Sequence, residues 1–67
     1  MSPRRLRTVL KNLRQGQGLT MAELAKKAQV TDAYIAQLET GRRKNPSLEI
    51  LKRLARALGV PVTELLE

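Results

Sequence analysis

The sequence predicts an all-α protein built from five short helices. Leucine and alanine dominate its apolar residues and both favour helices, whereas no stretch alternates apolar and polar residues as a strand would. Glycine and proline recur at intervals that divide the chain into pieces of helical length. With 67 residues, the chain can support one small core, so we expect residues 1–67 to form a single domain.

Composition excludes several function classes. The chain has 13 Lys and Arg against 6 Asp and Glu, a net charge of +7, and neither His nor Cys. A Ser–His–Asp triad, a thiolate nucleophile and a Cys/His zinc site are therefore impossible, and we expect no enzyme, no metal and no cofactor. No apolar run approaches the ~20 residues of a membrane span, so we expect a cytoplasmic protein. The positive charge indicates either a solvated surface or a surface for an anionic partner.

Apolar spacing and local capping signals set the expected helices. These cover residues 3–15, 21–28, 32–40, 48–58 and 62–66. Ser2 is the expected N-cap of the first, and Thr20 with Glu23 forms a capping box at the second. Thr31 caps the third helix, which Gly41 ends in the left-handed conformation.

Two capped helices joined by residues 29–31 predict a helix-turn-helix motif at 20–40. Residues 19–41, LTMAELAKKAQVTDAYIAQLETG, resemble the helix-turn-helix of the Xre family, of the lambda repressor and Cro type. The resemblance continues through RRKNPSLEIL at 42–51 and LARALGVPVTELL at 54–66. It implies a lambda repressor-like helix-turn-helix bundle whose third helix lies in the major groove of DNA, while the second crosses the phosphate backbone.

The outward side chains of the third helix fit that role, because they are short or hydrogen-bonding, whereas a solvated surface usually carries Lys and Glu. The expected base contacts are Thr31, Asp32, Ala33 and Gln37. Gln37 either pairs with adenine N6 and N7 or faces solvent. Asp32 either accepts from cytosine N4 or serves the helix dipole. Ala33 suits a thymine methyl group, and the family position of Thr31 lies near DNA.

The resemblance also implies contacts with the DNA backbone, at Met21, Tyr34, Arg42, Arg43, Lys44 and Asn45. The three cations after the third helix either complement its dipole or contact phosphates. Tyr34 either contacts a phosphate or packs against the fourth helix. Met21 replaces the usual Gln, so only backbone N–H groups remain to hold a phosphate there. Arg4, Arg5 and Arg7 form a second basic cluster, which is either a backbone-tracking arm or disordered.

Two internal features are expected from the same resemblance. Glu39 lies near a helix end, where the dipole disfavours an acid, and the family pairs it with a basic residue at the position of Arg14. We expect a partly buried Arg14–Glu39 ion pair. The family favours Gly at Gln29, where the turn needs a positive φ, so Gln29 either accepts a cost of about 1 kcal/mol or the turn is reshaped.

Taken together, the sequence predicts a sequence-specific, double-stranded DNA-binding transcriptional regulator of bacterial or phage origin, associated with the nucleoid. A homodimer on a palindromic operator is expected, with half-sites about 34 Å apart. The expected dimer interface, which alternatively only closes the core, comprises Val60, Pro61, Val62, Leu65 and Leu66. Two other functions remain open. One is an antitoxin-like module that binds a toxin protein, with DNA binding secondary, and the other is polyanion or membrane-surface binding through the first helix.

Overall fold

The computed structural model describes residues 3–66, and the side chains of residues 5–66. These residues form five helices, α1 (Pro3–Gly16), α2 (Met21–Ala28), α3 (Asp32–Thr40), α4 (Leu48–Leu58) and α5 (Thr63–Leu66). The predicted all-α fold is confirmed. The bounds of α2, α3 and α4 match the expected ones, whereas α1 ends one residue later and α5 begins one residue later. The cap expected at Ser2 and the side chain of Arg4 lie outside the described residues.

Side-chain caps explain why the central helices begin where they do. Thr20 Oγ1 accepts from the Glu23 backbone N–H at 3.0 Å, and Glu23 Oε1 accepts from the Thr20 N–H at 2.8 Å, which completes the capping box. These bonds to Thr20 lower the pKa of Glu23. Thr31 and Ser47 cap α3 and α4 in the same way, through the N–H groups three residues on.

The core is assembled from one face of each helix. Among the described residues, its buried apolar members are Leu6, Leu10, Leu24, Ala25, Ala28, Ile35, Leu38, Leu51, Leu54, Ala55, Leu58 and Leu65. Helix α2 packs on α3 and α4, α1 packs on α3 and α5, and α4 packs on α5. Helix α3 is therefore held from the inside by two neighbours. None of the helices in the described part of the chain has both the length and the apolar character needed to cross a membrane.

The turn between α2 and α3 depends on one strained residue. Gln29 has φ 61° and ψ 44°, and it is the one non-glycine residue with a positive φ in the part of the chain that the structure describes. Of the two expected alternatives, the chain accepts the strain and keeps the turn. Val30 N–H donates to Ala25 O at 2.9 Å, and Arg53 Nη1 donates to Gln29 O at 3.1 Å, so the turn is also tied to α4.

The turn and the caps place α3 at the surface with its apolar residues inward. Ile35 and Leu38 are almost fully buried, at 0% and 2% exposure. The opposite side of the helix is left without a covering element among residues 3–66.

Candidate nucleic-acid interface

The side of α3 that faces away from the core carries small and polar residues. Ala33 and Thr40 are exposed, and Ala36 and Gln37 are half-buried. These four residues line a shallow depression together with Arg42, and we call this surface the α3 outer face. It contains none of the long Lys and Glu side chains that would keep a helix away from a narrow groove.

The first two expected base-contacting residues lie at the start of α3 and both are exposed. Thr31 Oγ1 accepts from the Tyr34 backbone N–H at 3.1 Å, and Asp32 Oδ1 accepts from the Ala33 backbone N–H at 2.8 Å. The Asp32 carboxylate therefore interacts favourably with the positive, N-terminal end of the helix dipole. Thr31 is engaged only as an acceptor in this bond, and its hydroxyl proton remains a donor for another partner.

Gln37, Arg43 and Tyr34 form one connected cluster at the edge of the α3 outer face. Arg43 Nε donates to Gln37 Oε1 at 3.1 Å, and the Arg43 backbone N–H donates to Gln37 O at 3.1 Å. The Arg43 guanidinium carbon lies 4.8 Å from the centroid of the Tyr34 ring, a cation–π contact. The sequence points to these three residues separately and does not predict their contacts.

The loop after α3 presents a dense positive charge beside the α3 outer face. Arg42, Arg43, Lys44 and Asn45 are all exposed. Gly41, with φ 83°, ends α3, and the guanidinium of Arg7 from α1 occupies the space that a Cβ at this position would need. The last turn of α3 contains no basic residue of its own, so Arg7 supplies the cation that the C-terminal end of a helix favours.

Behind α3, the ion pair expected between Arg14 and Glu39 is present and buried. Arg14 Nε lies 2.7 Å from Glu39 Oε2, and Arg14 Nη1 donates to Leu19 O at 2.8 Å. The hydrogen bond to Glu39 raises the pKa of Arg14 and outweighs burial, which lowers it. The guanidinium therefore stays charged, and α3 is anchored to α1 through its inner side.

Met21, expected to lie near the DNA backbone, is half-buried and packs against the core. Its side chain therefore lies toward the interior of the protein.

The residues of the expected dimer interface differ in their exposure. Pro61 is exposed, and Val60, Val62 and Leu66 are half-buried. Leu65 is only 1% exposed and belongs to the core of this single chain, which is the alternative that the sequence left open for it. Leu48 is also exposed, at 52%, and is not among the residues expected from the sequence to form a site.

Comparison with known proteins decides the family. The model of the helix-turn-helix family matches residues 10–65 of the chain. The chain belongs to this family, of the Xre and lambda repressor type. The match covers all of α2, α3 and α4 and the C-terminal half of α1.

The family's named members include regulators from several bacteria. The chain is 47% identical over 58 residues to the transcriptional regulator DdrOP3 of Deinococcus deserti, a match that covers 87% of this chain and 44% of that protein. It is 34% identical over 58 residues to the regulator SinR of Bacillus subtilis, covering 87% of this chain and 52% of SinR. The chain thus spans about half the length of these curated relatives.

Solved structures of the family share the arrangement of helices. The restriction-modification controller C.AhdI of Aeromonas hydrophila has a TM-score of 0.86 and 33% identity, with 91% of each chain covered. SinR in complex with DNA has a TM-score of 0.88 and 32% identity, covering 92% of this chain and 98% of that one. The predicted lambda repressor-like helix-turn-helix fold is thereby confirmed.

Proposed function

We propose that this chain is the DNA-binding unit of a transcriptional regulator and reads a specific double-stranded operator through the major groove. The observation that carries the proposal is the α3 outer face with the exposed cations of residues 42–44 at its end. Short side chains let a helix approach base edges in a groove about 12 Å wide, and the neighbouring cations match the phosphates. The regulators among its relatives and the DNA complex of SinR support it.

The base-reading residues in this proposal lie along the N-terminal two turns of α3. Gln37 is the main reader, through its side-chain amide. Thr31 contributes its hydroxyl proton, Asp32 contributes the carboxylate oxygen that the helix start leaves free, and Ala33 packs against a thymine methyl group. Each of these side chains is exposed or half-buried, so none has to leave the core to reach a base.

Contacts with the DNA backbone hold the helix in register. Arg42, Lys44 and Asn45 contact phosphates from the loop after α3, and Arg43 and Tyr34 do so from the edge of the α3 outer face. Met21 contributes its backbone N–H at the start of α2, since its side chain packs inward. These contacts set affinity and orientation, while the bases set sequence preference.

A homodimer on a palindromic operator is part of the proposal. One α3 covers only a few base pairs, and two half-sites about 34 Å apart give a longer recognition sequence. We assign the contact between copies to the C-terminal surface of Val60, Pro61, Val62 and Leu66, which are partly or fully exposed. Because operator binding requires access to the chromosome, we place the protein in the cytoplasm.

The proposal is tested by selecting bound duplexes from a random library and measuring their affinity against shuffled duplexes of equal composition. At physiological salt, the selected duplex should bind at least about 10³-fold more tightly. Its affinity should also fall steeply with salt, because phosphate contacts release counterions. Equal affinity for selected and shuffled duplexes would contradict the proposal, and co-purification of a toxin protein with no duplex preference would favour the antitoxin-like module instead.

A further inference from the structure

We propose that Arg43 is a positioning residue that holds the Gln37 amide with its –NH2 group toward the DNA, so that Gln37 selects guanine rather than adenine. This inference rests on the proposed function, since α3 must enter the major groove. It begins from one contact, the 3.1 Å hydrogen bond between Arg43 Nε and Gln37 Oε1.

The chemistry of arginine determines which end of the amide faces it. A guanidinium carries five N–H donors and no acceptor, so the Gln37 atom bound to Arg43 must be the carbonyl oxygen. A side-chain amide can rotate by half a turn so that its oxygen and nitrogen exchange places, and its hydrogen-bond partners determine which orientation it adopts. Here the partner is a cation, and a charge-assisted bond is roughly twice as strong as a neutral one.

Arg43 is itself held in place at two further points. Its backbone N–H donates to Gln37 O at 3.1 Å, which folds the loop back onto the last turns of α3. Its guanidinium lies over the ring of Tyr34, 4.8 Å from the centroid. The side chain that orients Gln37 is thus positioned by the backbone of Gln37 and by the face of an aromatic ring.

An unrestrained glutamine reads adenine, because it donates to N7 and accepts from the N6 amino group. When the Gln37 oxygen is held by Arg43, the amide presents donors to the groove. Guanine offers two adjacent acceptors at its major-groove edge, N7 and O6. Adenine offers one acceptor, N7, beside its N6 donor, thymine offers one acceptor, O4, and cytosine N4 is a donor. The orientation therefore favours guanine. The bond uses one of the five donors of Arg43, and the others remain for the phosphate contact assigned above.

The test first locates the base pair that Gln37 reads. Duplexes selected by the wild-type protein are compared with those selected by Gln37→Ala, and the position that loses its preference is identified. Four duplexes that carry each base pair at this position are then titrated with wild type, Arg43→Ala, Arg43→Lys and Arg42→Ala. Thermal melting of each variant confirms that it is folded, as expected because Gln37 is half-buried and the two arginines are exposed.

Wild type should bind the guanine duplex about fivefold or more tightly than the adenine duplex, the lower end of the range for a good base contact. Arg43→Ala should lose this preference and bind adenine at least as well as guanine. Arg43→Lys keeps a charged group that only donates, so it should retain part of the preference, with a smaller loss of overall affinity than Arg43→Ala. Arg42→Ala, the matched control, should weaken binding to all four duplexes alike.

Three results would overturn the inference while leaving the proposed function intact. The first is that Arg43→Ala shows the same pattern of affinities as Arg42→Ala. The second is that wild type prefers adenine, and the third is that Gln37→Ala selects the same duplexes as wild type. In each case the protein still binds selected duplexes more tightly than shuffled ones. Failure of the proposed function looks different, because wild type then binds the four duplexes and shuffled DNA with equal affinity.

Discussion

Arg14 and Glu39, which are 25 positions apart in the chain, meet through two parallel hydrogen bonds, Nε to Oε2 at 2.7 Å and Nη2 to Oε1 at 3.0 Å. Both residues are buried, at 8% and 7% exposure. Arg14 also donates to Leu19 O at 2.8 Å. One guanidinium thus connects α1, the segment before α2 and the C-terminal half of α3, and it sets the position of the α3 outer face.

Removing one partner of this pair should be costly. Glu39→Ala leaves a buried guanidinium without its carboxylate, so the free energy of unfolding should fall by about 3 kcal/mol, the lower end of the range for a broken buried pair. Urea unfolding of wild type and variant measures the difference. The effect should appear as lost stability, with the base preference of the folded fraction unchanged.

The control for this prediction replaces both partners. Arg14→Met combined with Glu39→Leu removes both charges together, and it should recover most of the stability lost in Glu39→Ala. If Glu39→Ala lowers the free energy of unfolding by less than about 1 kcal/mol, the pair behaves as an exposed one and does not anchor α3.

Gln29 is a site where a substitution should stabilise the protein. Its φ of 61° costs a residue with a Cβ about 1–2 kcal/mol, and glycine avoids that cost while losing more entropy on folding. Gln29→Gly should therefore raise the unfolding free energy by roughly 0.5–1 kcal/mol, or the melting temperature by a few degrees. Gln29→Ala keeps the Cβ and should give no gain. Equal stabilities of the glycine and alanine variants would show that strain at this φ is not the cause.

The capping box of α2 should make stability depend on pH. The pKa of Glu23 is lowered in the folded protein by its bonds to Thr20. Its contribution is therefore complete above the ordinary pKa of about 4.5 and is lost as the pH falls through the lower, folded-state value. Glu23→Gln keeps an acceptor oxygen but does not titrate, so its stability should change less than that of wild type between pH 6 and pH 3, roughly the interval over which a glutamate titrates.

The matched control for the pH series is Glu64→Gln, which removes an exposed acid from the first turn of α5. This variant should retain more of the wild-type pH dependence than Glu23→Gln does. Parallel thermal melts across the pH range provide the comparison. If the two variants have identical pH profiles, the carboxylate of Glu23 contributes no specific stabilisation to the start of α2.

Neighbouring leucines in α5 should have separable roles. Leu65 is buried at 1% exposure, so Leu65→Ala should lower the unfolding free energy by about 2–3 kcal/mol, as for other buried leucines. Leu66 is half-buried and belongs to the proposed contact between copies. Leu66→Ala should weaken self-association about fivefold, or roughly 1 kcal/mol, with a smaller effect on folding.

Sedimentation at several protein concentrations distinguishes these effects. The control is Leu48→Ala, which removes an exposed leucine at the start of α4 and should leave self-association unchanged. If Leu48→Ala lowers association and Leu66→Ala does not, the contact between copies lies on another surface than the C-terminal one.

Local signals account for how well the helices could be predicted from sequence. The bounds of α2, α3 and α4 depend on a capping side chain a few residues from the N–H that it accepts, and on left-handed glycines at Gly41 and Gly59. Helix α5 has four residues, too few to reveal which side faces the core. For that reason the sequence left open whether Leu65 belongs to a dimer interface or closes the core, and in this chain it lies in the core.

Long-range contacts were harder to predict from the sequence than the helix bounds. The family resemblance led to the Arg14–Glu39 pair, because no spacing rule joins residues 25 positions apart. The contact between Gln37 and Arg43 depends on the path of the loop after a helix end, and helical periodicity does not extend beyond that end. Arg7 was assigned to an N-terminal cluster, since its position over Gly41 depends on how α1 packs against α3.

The central claim is that α3 presents its outer face to DNA, and amide chemical-shift mapping of the protein with a selected duplex tests this most directly. The account predicts that the largest changes occur at Ala33, Gln37 and the loop 41–45. Residues on the distant side of α4, such as Arg56 and Ala57, should change little. The account is contradicted if the largest changes cluster on α4 and α5 while the signals of α3 stay in place.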